Sequence, residues 1–314
     1  MRVVTPDEVK SALKFSDLIP ALSEGFAAFA RGNAKVAPIS NIDFSDLNGE
    51  IHIKSGWITD GPSVCTKLVT CYYNNPSAGL PTRDGALVMI NRLNGRFEAF
   101  IYDEGHVTNM RTAGASAVAA QLLARVGADE LGIVGTGTQA YWHAAAIASV
   151  VKLRSVKVVG RNGARAGDLC RKIEQTLRLP ASVTDTRCAV EAPIVVTATP
   201  AREPVLIEER LKPGTLLVAM GSDAIGKREL GSAIVEQAAV LVADSEQQCA
   251  EIGELQWRAE WKRSPRVQHL GEVVSNAHLG RQSDDEIVIF DSTGLGFQDL
   301  VGAQCVLRNL RMAV

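Results

Sequence analysis

Two glycines and an alanine, Gly135, Gly137 and Ala140, stand in G-x-G-x-x-A order within the segment LGIVGTGTQA. This spacing suits one kind of chemistry. The first glycine permits a tight turn out of a strand, the second lets backbone N–H groups approach a pyrophosphate, and the small third residue lets helix and strand pack closely. A helix beginning here, with Thr138 and Gln139 in its first turn, adds free N–H donors and partial positive charge where phosphates would lie. Leu131, Ile133 and Val134 read as the end of a buried strand, and Gln139 to Val151 as an Ala-rich helix. A plain strand–turn–helix connection can carry the same glycines, and it is the flanks that make the segment a dinucleotide-binding candidate.

The next strand reads as Ser155 to Val159 with Gly160 after it. About 20 residues past such a motif, an acid bonds the ribose 2′-hydroxyl of NAD, whereas a basic residue suits the 2′-phosphate of NADP. Here Arg161, Asn162 and Arg165 are offered and no acid is. A guanidinium pairs with a phosphate through two hydrogen bonds, so NADP(H) is favoured, with NAD(H) as the alternative. The plainer reading is that both arginines solvate the first turn of the following helix.

The elements that must hold these residues read as an α/β chain in two parts. Ser16 to Gly32 has the spacing of an amphipathic helix, with Leu18, Leu22, Phe26 and Phe29 inward. From Ile51 to Tyr102, apolar-alternating pieces separated by Gly, Pro, Asn and Asp predict strands, with a hairpin at Asn94-Gly95. Thr112 to Ala128 predicts a long Ala-rich helix. Strands then recur at Val156–Val159, Ala192–Thr197, Thr215–Met220 and Val240–Ala243 with helical runs between, which is a doubly wound parallel pattern.

With 314 residues, 46% hydrophobic and 22% charged, the chain is long enough for two domains. A net charge of −2 gives no basic stripe for nucleic acid or a membrane surface. No apolar run approaches the roughly 20 residues of a membrane span, and no signal-peptide pattern precedes the first helix. The six cysteines lack C-x-x-C spacing, so reduced, buried thiols in a cytoplasmic protein are expected. The five histidines form no metal-ligand spacing, and no metal is expected; His106 and His143 read as surface or helix positions.

Several longer stretches carry a resemblance: TKLVTCYYNNPSAGLPT, VTNMRTAGASAVAAQLLA, IVGTGTQA, VAMGSDAIGKREL and IFDSTGLGFQDL. In this order they resemble the ornithine cyclodeaminase/mu-crystallin family from end to end. The resemblance implies a substrate-binding and dimerisation domain over residues 1–115, completed by 300–314. It implies a Rossmann dinucleotide-binding domain over 116–299, and a homodimer. Lys67 matches the family's active-site lysine, which contacts the substrate carboxylate or the reacting nitrogen. Arg111 matches the arginine that forks onto substrate carboxylate or cofactor, with Thr112 beside it. Thr197, Ala198, Thr199 and Met220 fall on the cofactor-binding strand ends, and Thr293 and Gly294 match the loop touching the nicotinamide. Asp223 matches the acid/base of cyclodeaminases; a carboxyl raised by burial could shuttle a proton there, and a helix cap is the other reading. Crystallin-type members lack an acid at this place.

The departures matter too. Cyclodeaminases carry an arginine near position 40 of this numbering and then a Glu-Leu-Met-Pro-type strand, whereas this chain has Ala37-Pro38-Ile39-Ser40 and Ile51-His52-Ile53-Lys54. A strand period of two puts His52, Lys54 and Gly56 on one face, where Lys54 could replace the missing charge toward a carboxylate. Glu50 lies two residues upstream and a register shift would bring it in. The resemblance, with a Lys54-Ser55-Gly56 strand like that of imine-reducing relatives, implies an oxidoreductase that reduces a small 2-imino acid such as Δ1-pyrroline-2-carboxylate. The rivals are an ammonia-releasing cyclodeaminase acting on an amino acid such as ornithine, and a crystallin-type binding protein without turnover.

Overall fold

The alternating stretches from residue 49 to residue 102 pair as consecutive antiparallel strands. They belong to a computed structural model that describes residues 1–312. The chain divides into two compact units, one of Met1–Arg111 with the segment from Leu295 onward, the other of Thr112–Gly294. In the first unit the order is β1 (Arg2–Val4), α1 (Pro6–Ala12), α2 (Phe15–Ala30), β2 (Ala34–Val36), β3 (Ser40–Phe44), β4 (Gly49–Ile58), β5 (Ser63–Tyr72), β6 (Arg83–Asn91) and β7 (Phe97–Tyr102). The sheet runs β1-β7-β6-β5-β4-β2, with β3 also paired to β4, and only β1 lies parallel to its neighbour. On β5 the odd positions Cys65, Lys67, Val69 and Cys71 are buried while Leu68 is exposed, the period-two signature of a sheet with one covered face.

The long helix α3 spans His106–Leu123, six residues ahead of the expected start at Thr112. Asp103 explains the difference: its carboxylate accepts the Gly105 and Val107 N–H groups at 3.1 and 2.7 Å and starts the helix early. The following elements are β8 (Glu130–Val134), α4 (Thr138–Ala148), β9 (Ser155–Val159), α5 (Gly163–Leu177), β10 (Ala181–Val183), α6 (Thr186–Ala189), β11 (Ile194–Thr197) and β12 (Leu216–Ala219). Then come α7 (Ser232–Val235), β13 (Val240–Ala243), α8 (Glu246–Ile252), β14 (Val267–His269), α9 (Leu270–Ser275) and β15 (Val288–Asp291). These eight strands form a wholly parallel sheet in the order β10-β9-β8-β11-β12-β15-β13-β14. β8 lies between β9 and β11, so the chain turns opposite ways on its two sides and leaves a switch point there. One connection departs from the expected alternation: residues 198–215 cross from β11 to β12 without a helix. Pro200, Pro204 and Pro213 remove donors along that stretch and break helical hydrogen bonding.

The last helix, α10 (Gly296–Asn309), belongs to the first unit and is buried on every side from Gly296 to Ala303. Phe297 sits edge-on to Phe26 and stacked on Phe29, with ring centroids 5.3 Å apart in both cases. Its first turn meets β4 backbone to backbone: a Cβ on Gly56 would lie 2.2 Å from the Phe297 nitrogen, and one on Gly296 would lie 2.2 Å from the Ser55 carbonyl. Among the described residues no helix is long and apolar enough to cross a membrane.

That contact generates a first prediction. Gly56→Ala forces backbone apart rather than a side-chain tip, so it should cost about 1–3 kcal/mol or more, as overpacking does. A thermal melt checks it, and a melting temperature equal to wild type would show that α10 does not depend on this approach.

Candidate active site

Lys67 on β5 and Lys54 on β4 face each other directly across the antiparallel pair. Both are buried, at 2% and 8% exposure, and Arg111 on α3 is 5% exposed. Like charges opposed across a sheet repel, and burial removes the water that would screen them. The first unit answers with Asp299 in the first turn of α10. Lys67 Nζ donates to Asp299 Oδ1 at 3.1 Å, and Arg111 Nε donates to the same oxygen at 2.9 Å. Oδ2 lies 3.1 Å from Lys67 Nζ without hydrogen-bond geometry. Arg111 Nη1 donates to Gln298 Oε1 at 3.1 Å, while Gln298 Nε2 is buried with no hydrogen-bond partner.

The electrostatics follow from this packing. Burial, then the Arg111 guanidinium, bring the Lys67 ammonium down from its ordinary 10.5 to about 7. Burial alone would raise Asp299; Arg111 and Lys67 outweigh it and hold the carboxyl below its ordinary range. Lys67 and Arg111 therefore converge on one short carboxylate, with Lys54 opposite Lys67 across the strands and the orphaned Gln298 amide donor beside Arg111. The arrangement suits a small anion presenting two oxygens.

In the second unit the glycine turn leaves β8 at the switch point. Gly135 has φ +132° and a Cβ there would lie 2.5 Å from the Ala198 carbonyl, so the turn after β8 and the loop after β11 touch. Gly137 caps α4 without a side-chain bond, and a Cβ there would meet nothing within 4 Å. Its Cα side is open, as the approach of a pyrophosphate requires, and the first turn of α4 with Thr138 and Gln139 supplies N–H donors. Ala140 is fully buried against the strand side. Arg161 and Arg165 are exposed, and Asn162 accepts the Arg165 N–H at 3.1 Å as the cap of α5. These residues fit a nicotinamide dinucleotide.

Buried carboxyls tie the ligand-side loops of this sheet together. Glu229 accepts from the Thr197 hydroxyl, the Thr199 N–H and hydroxyl, and the Gly221 N–H, all at 2.7 Å. Thr197 and Thr199 thus have their hydroxyl protons committed inside the protein, and Met220 precedes the clamped Gly221. Glu254 accepts the Glu229 N–H at 2.6 Å, and Asp291 accepts the Leu255 N–H at 3.0 Å. Asp244 accepts from the Ser292 hydroxyl and the Thr293 and Gly294 N–H groups at 2.7, 3.0 and 2.8 Å. Gln248 Nε2 then reaches the Thr293 hydroxyl at 2.7 Å and the Gly294 carbonyl at 2.9 Å.

The structure separates the expected site residues into groups. Lys54, Lys67 and Arg111 come together. His52 lies on the Lys54 face of β4, further along the strand, bonded to Asn41 at 2.8 Å and 3.2 Å from Glu50. Asp223 follows β12 with its side chain 46% exposed and ion-paired to Lys227 at 2.6 Å, so the burial expected to raise its carboxyl is not present. His143 takes the helix position of the two expected, fully buried in α4, and bonds Ser116 at 2.8 Å; burial lowers its imidazole to about 3. Cys188 is exposed, against the expectation that all six thiols are buried. Asp299, Gln298, Glu229 and Asp244 were missed. Asp299 had a signal: an acid within an otherwise apolar, all-round buried helix must have a partner.

A wholly parallel doubly wound unit with a glycine turn at its switch point, joined in one chain to an antiparallel unit with a buried cationic cluster, defines a two-unit α/β protein of dinucleotide-binding type. The profile of the ornithine cyclodeaminase/mu-crystallin family matches residues 1–313. The chain belongs to that family. It is 34% identical to a Sinorhizobium fredii protein described as an uncharacterized cyclodeaminase, over 95% of this chain and 92% of that one. An archaeal alanine dehydrogenase, a dimer with bound NAD, superposes with TM-score 0.90 at 30% identity over 99% of this chain and 96% of the other. The Δ1-pyrroline-2-carboxylate reductase of Thermococcus litoralis, in complex with NADH and L-proline, gives TM-score 0.92 at 26% identity over 99% and 98%.

The buried carboxyls make stability depend on pH. Burial raises Glu254 from 4.5 to about 9 and Asp291 from 3.8 to about 7. Between those values the folded chain keeps protons that the unfolded chain releases, so their contribution is fully present below the unfolded values and is lost as pH rises through the folded ones. Lys67 acts oppositely, but only above about 7, and His143, lowered to about 3, acts oppositely up to about 6.5 and offsets one of the two acids there. The melting temperature should therefore fall from about pH 5 to pH 7, each acid contributing at most about 1.4 kcal/mol per pH unit. Glu254→Gln should make that slope shallower. A wild-type melting temperature that is flat or rising over this window contradicts the reading.

Proposed function

We propose that this protein is an NAD(P)H-dependent reductase of a small 2-imino acid of the Δ1-pyrroline-2-carboxylate type. The observation that carries the reading is the Lys54–Lys67–Arg111 cluster, three buried cationic side chains of which Lys67 and Arg111 share the carboxylate of Asp299. A substrate carboxylate is attracted by this cationic set, and a guanidinium receives it through two parallel hydrogen bonds. Asp299 and Gln298 engage Arg111 Nε and Nη1, and a guanidinium carries five N–H donors, so others serve a ligand oxygen. Bound nicotinamide supplies the hydride to the C=N carbon. Lys67, with its ammonium brought to about 7, is suited to release a proton toward the substrate nitrogen at neutral pH.

NADPH as the preferred cofactor rests on Arg161, exposed after β9 with no acid from Gly160 to Arg165. A homodimer is part of the same reading, supported by the dimeric archaeal alanine dehydrogenase. One rival has a specific observation behind it. Glu50 lies on the face of β4 that holds His52 and Lys54, and accepts the Tyr73 hydroxyl. A carboxylate there could hold a distal amine, and the Sinorhizobium fredii relative carries the cyclodeaminase description. In that reaction hydride leaves and returns with no net oxidation, and ammonia departs. A crystallin-type binding protein would show neither.

Assays of reduced-cofactor consumption with Δ1-pyrroline-2-carboxylate, and of ammonia release from L-ornithine, separate the three. The expected result is net NADPH oxidation with the imine and no ammonia from ornithine; the reverse outcome promotes the cyclodeaminase. Lys67→Met keeps most of the stem and removes the charge, so kcat should fall by about 10²–10³ while cofactor affinity holds. For the cofactor, Arg161→Ala should weaken NADPH by about 1–3 kcal/mol and leave NADH unchanged, read by fluorescence titration. Equal losses for both cofactors would remove Arg161 from the 2′-phosphate.

A further inference from the structure

We propose that Asp299 is the positioning residue of the carboxylate-binding site: it holds the Lys67 ammonium and the Arg111 guanidinium on one oxygen at fixed spacing, and supplies the negative charge that lets both remain cationic away from water. The inference rests on the imino-acid reading for its substrate, but not for its geometry.

The geometry is specific. Asp299 Oδ1 receives Lys67 Nζ at 3.1 Å and Arg111 Nε at 2.9 Å, so two cations from different elements meet at a single atom. The oxygen is fully buried, and its helix cannot drift, because α10 is seated backbone to backbone on β4 at Gly56. Gln298, one residue earlier, takes Arg111 Nη1 at 3.1 Å and fixes the rotation of the guanidinium plane. Placement in the first turn of α10 also puts the Asp299 charge where the helix dipole favours it. Asp299 thus does not receive the substrate. It sets the distance between the two groups that do.

The charged and titratable groups around Lys67 come from every side. Asp299 on α10 favours the ammonium; Arg111 on α3 and Lys54 on β4 oppose it, as does burial. Asp103 before α3 and Cys65 on β5 complete the set. Remove the Asp299 charge and burial, Arg111 and Lys54 oppose the ammonium with only the more weakly coupled Asp103 on its side. The Lys67 proton should then be lost at lower pH, whereas a carboxylate ligand would still meet the remaining cations at pH values where Lys67 stays charged.

The test reads Lys67 directly. In protein labelled with ¹³C at lysine Cε, the resonance missing from Lys67→Met identifies Lys67, and its titration is followed by NMR in wild type and Asp299→Asn. The titration midpoint should drop by at least one pH unit in Asp299→Asn, a tenfold change or more in the ammonium equilibrium. This arm needs no turnover, so it stands if imino-acid reduction fails. With Δ1-pyrroline-2-carboxylate as substrate, the descending limb of kcat/KM against pH should move down by the same amount. A uniformly lowered profile with an unmoved limb, or an unmoved Lys67 titration, overturns the proposal. Should Asp299→Asn not fold, Asp299→Glu carries the test: the titration should stay near wild type while KM rises at least tenfold, because the charge remains but the spacing changes. Wild-type KM in Asp299→Glu overturns it.

Discussion

Backbone lies on backbone where β4 meets the first turn of α10, and the chemistry of the first unit depends on that approach. Gly56 offers no Cβ on the face that also carries Lys54, so Phe297 and Gly296 come into contact with the strand itself. A helix held at side-chain distance would leave Asp299 short of Lys67 by more than a hydrogen bond can span. Seated this closely, α10 puts its acid on the strand lysine Lys67 and its Phe297 ring against Phe26 and Phe29. One glycine therefore links the apolar packing of α2 to the charge balance of the candidate site. The cations are tolerated because Asp299 is there, and Asp299 is there because the helix can approach.

The second unit solves a different problem with similar means. Parallel strands end together at one edge of the sheet, and the loops leaving that edge have backbone donors to satisfy. Glu229, Glu254, Asp291 and Asp244 accept those donors from inside the protein, each joining segments that follow different strands. Burying several acids without facing cations costs desolvation energy, which is why Glu254 and Asp291 hold their protons to about 9 and about 7. In return, the loops after β11, β12 and β15 are held in defined positions around a glycine turn that leaves space for a phosphate. Thr197, Thr199, Thr293 and Gly294 are thus held by buried acids.

Much of this arrangement follows from local rules, and that part was legible in the sequence. Gly135, Gly137 and Ala140 report a strand–turn–helix connection because each satisfies a requirement set within six residues of chain. Alternation along β4 to β7 identifies strands and puts Lys67 on the covered side of β5, since side-chain direction has a period of two. Where local signals conflicted, the reading slipped: α3 begins at His106 through an Asp103 cap that hydrophobic spacing does not register, and prolines keep 198–215 from forming a helix.

Which charges meet was a tertiary decision. Lys67 and Asp299 are 232 residues apart in the chain, and Arg111 and Asp299 are 188 apart. Nothing in the spacing of either segment specifies such a partner, because the distance between them is set by the seating of α10 on β4. The same holds for Asp223, whose type and strand-end position suggested a buried proton shuttle. Its exposure was decided by the loop that carries it and by Lys227 beside it. The sequence by itself determined the elements, their faces and the residue types available, since these depend on dihedral and hydrophobic periodicities that act over a few residues. Only the tertiary structure decided which of those residues share a desolvated space, because burial and charge pairing depend on surfaces contributed by distant segments.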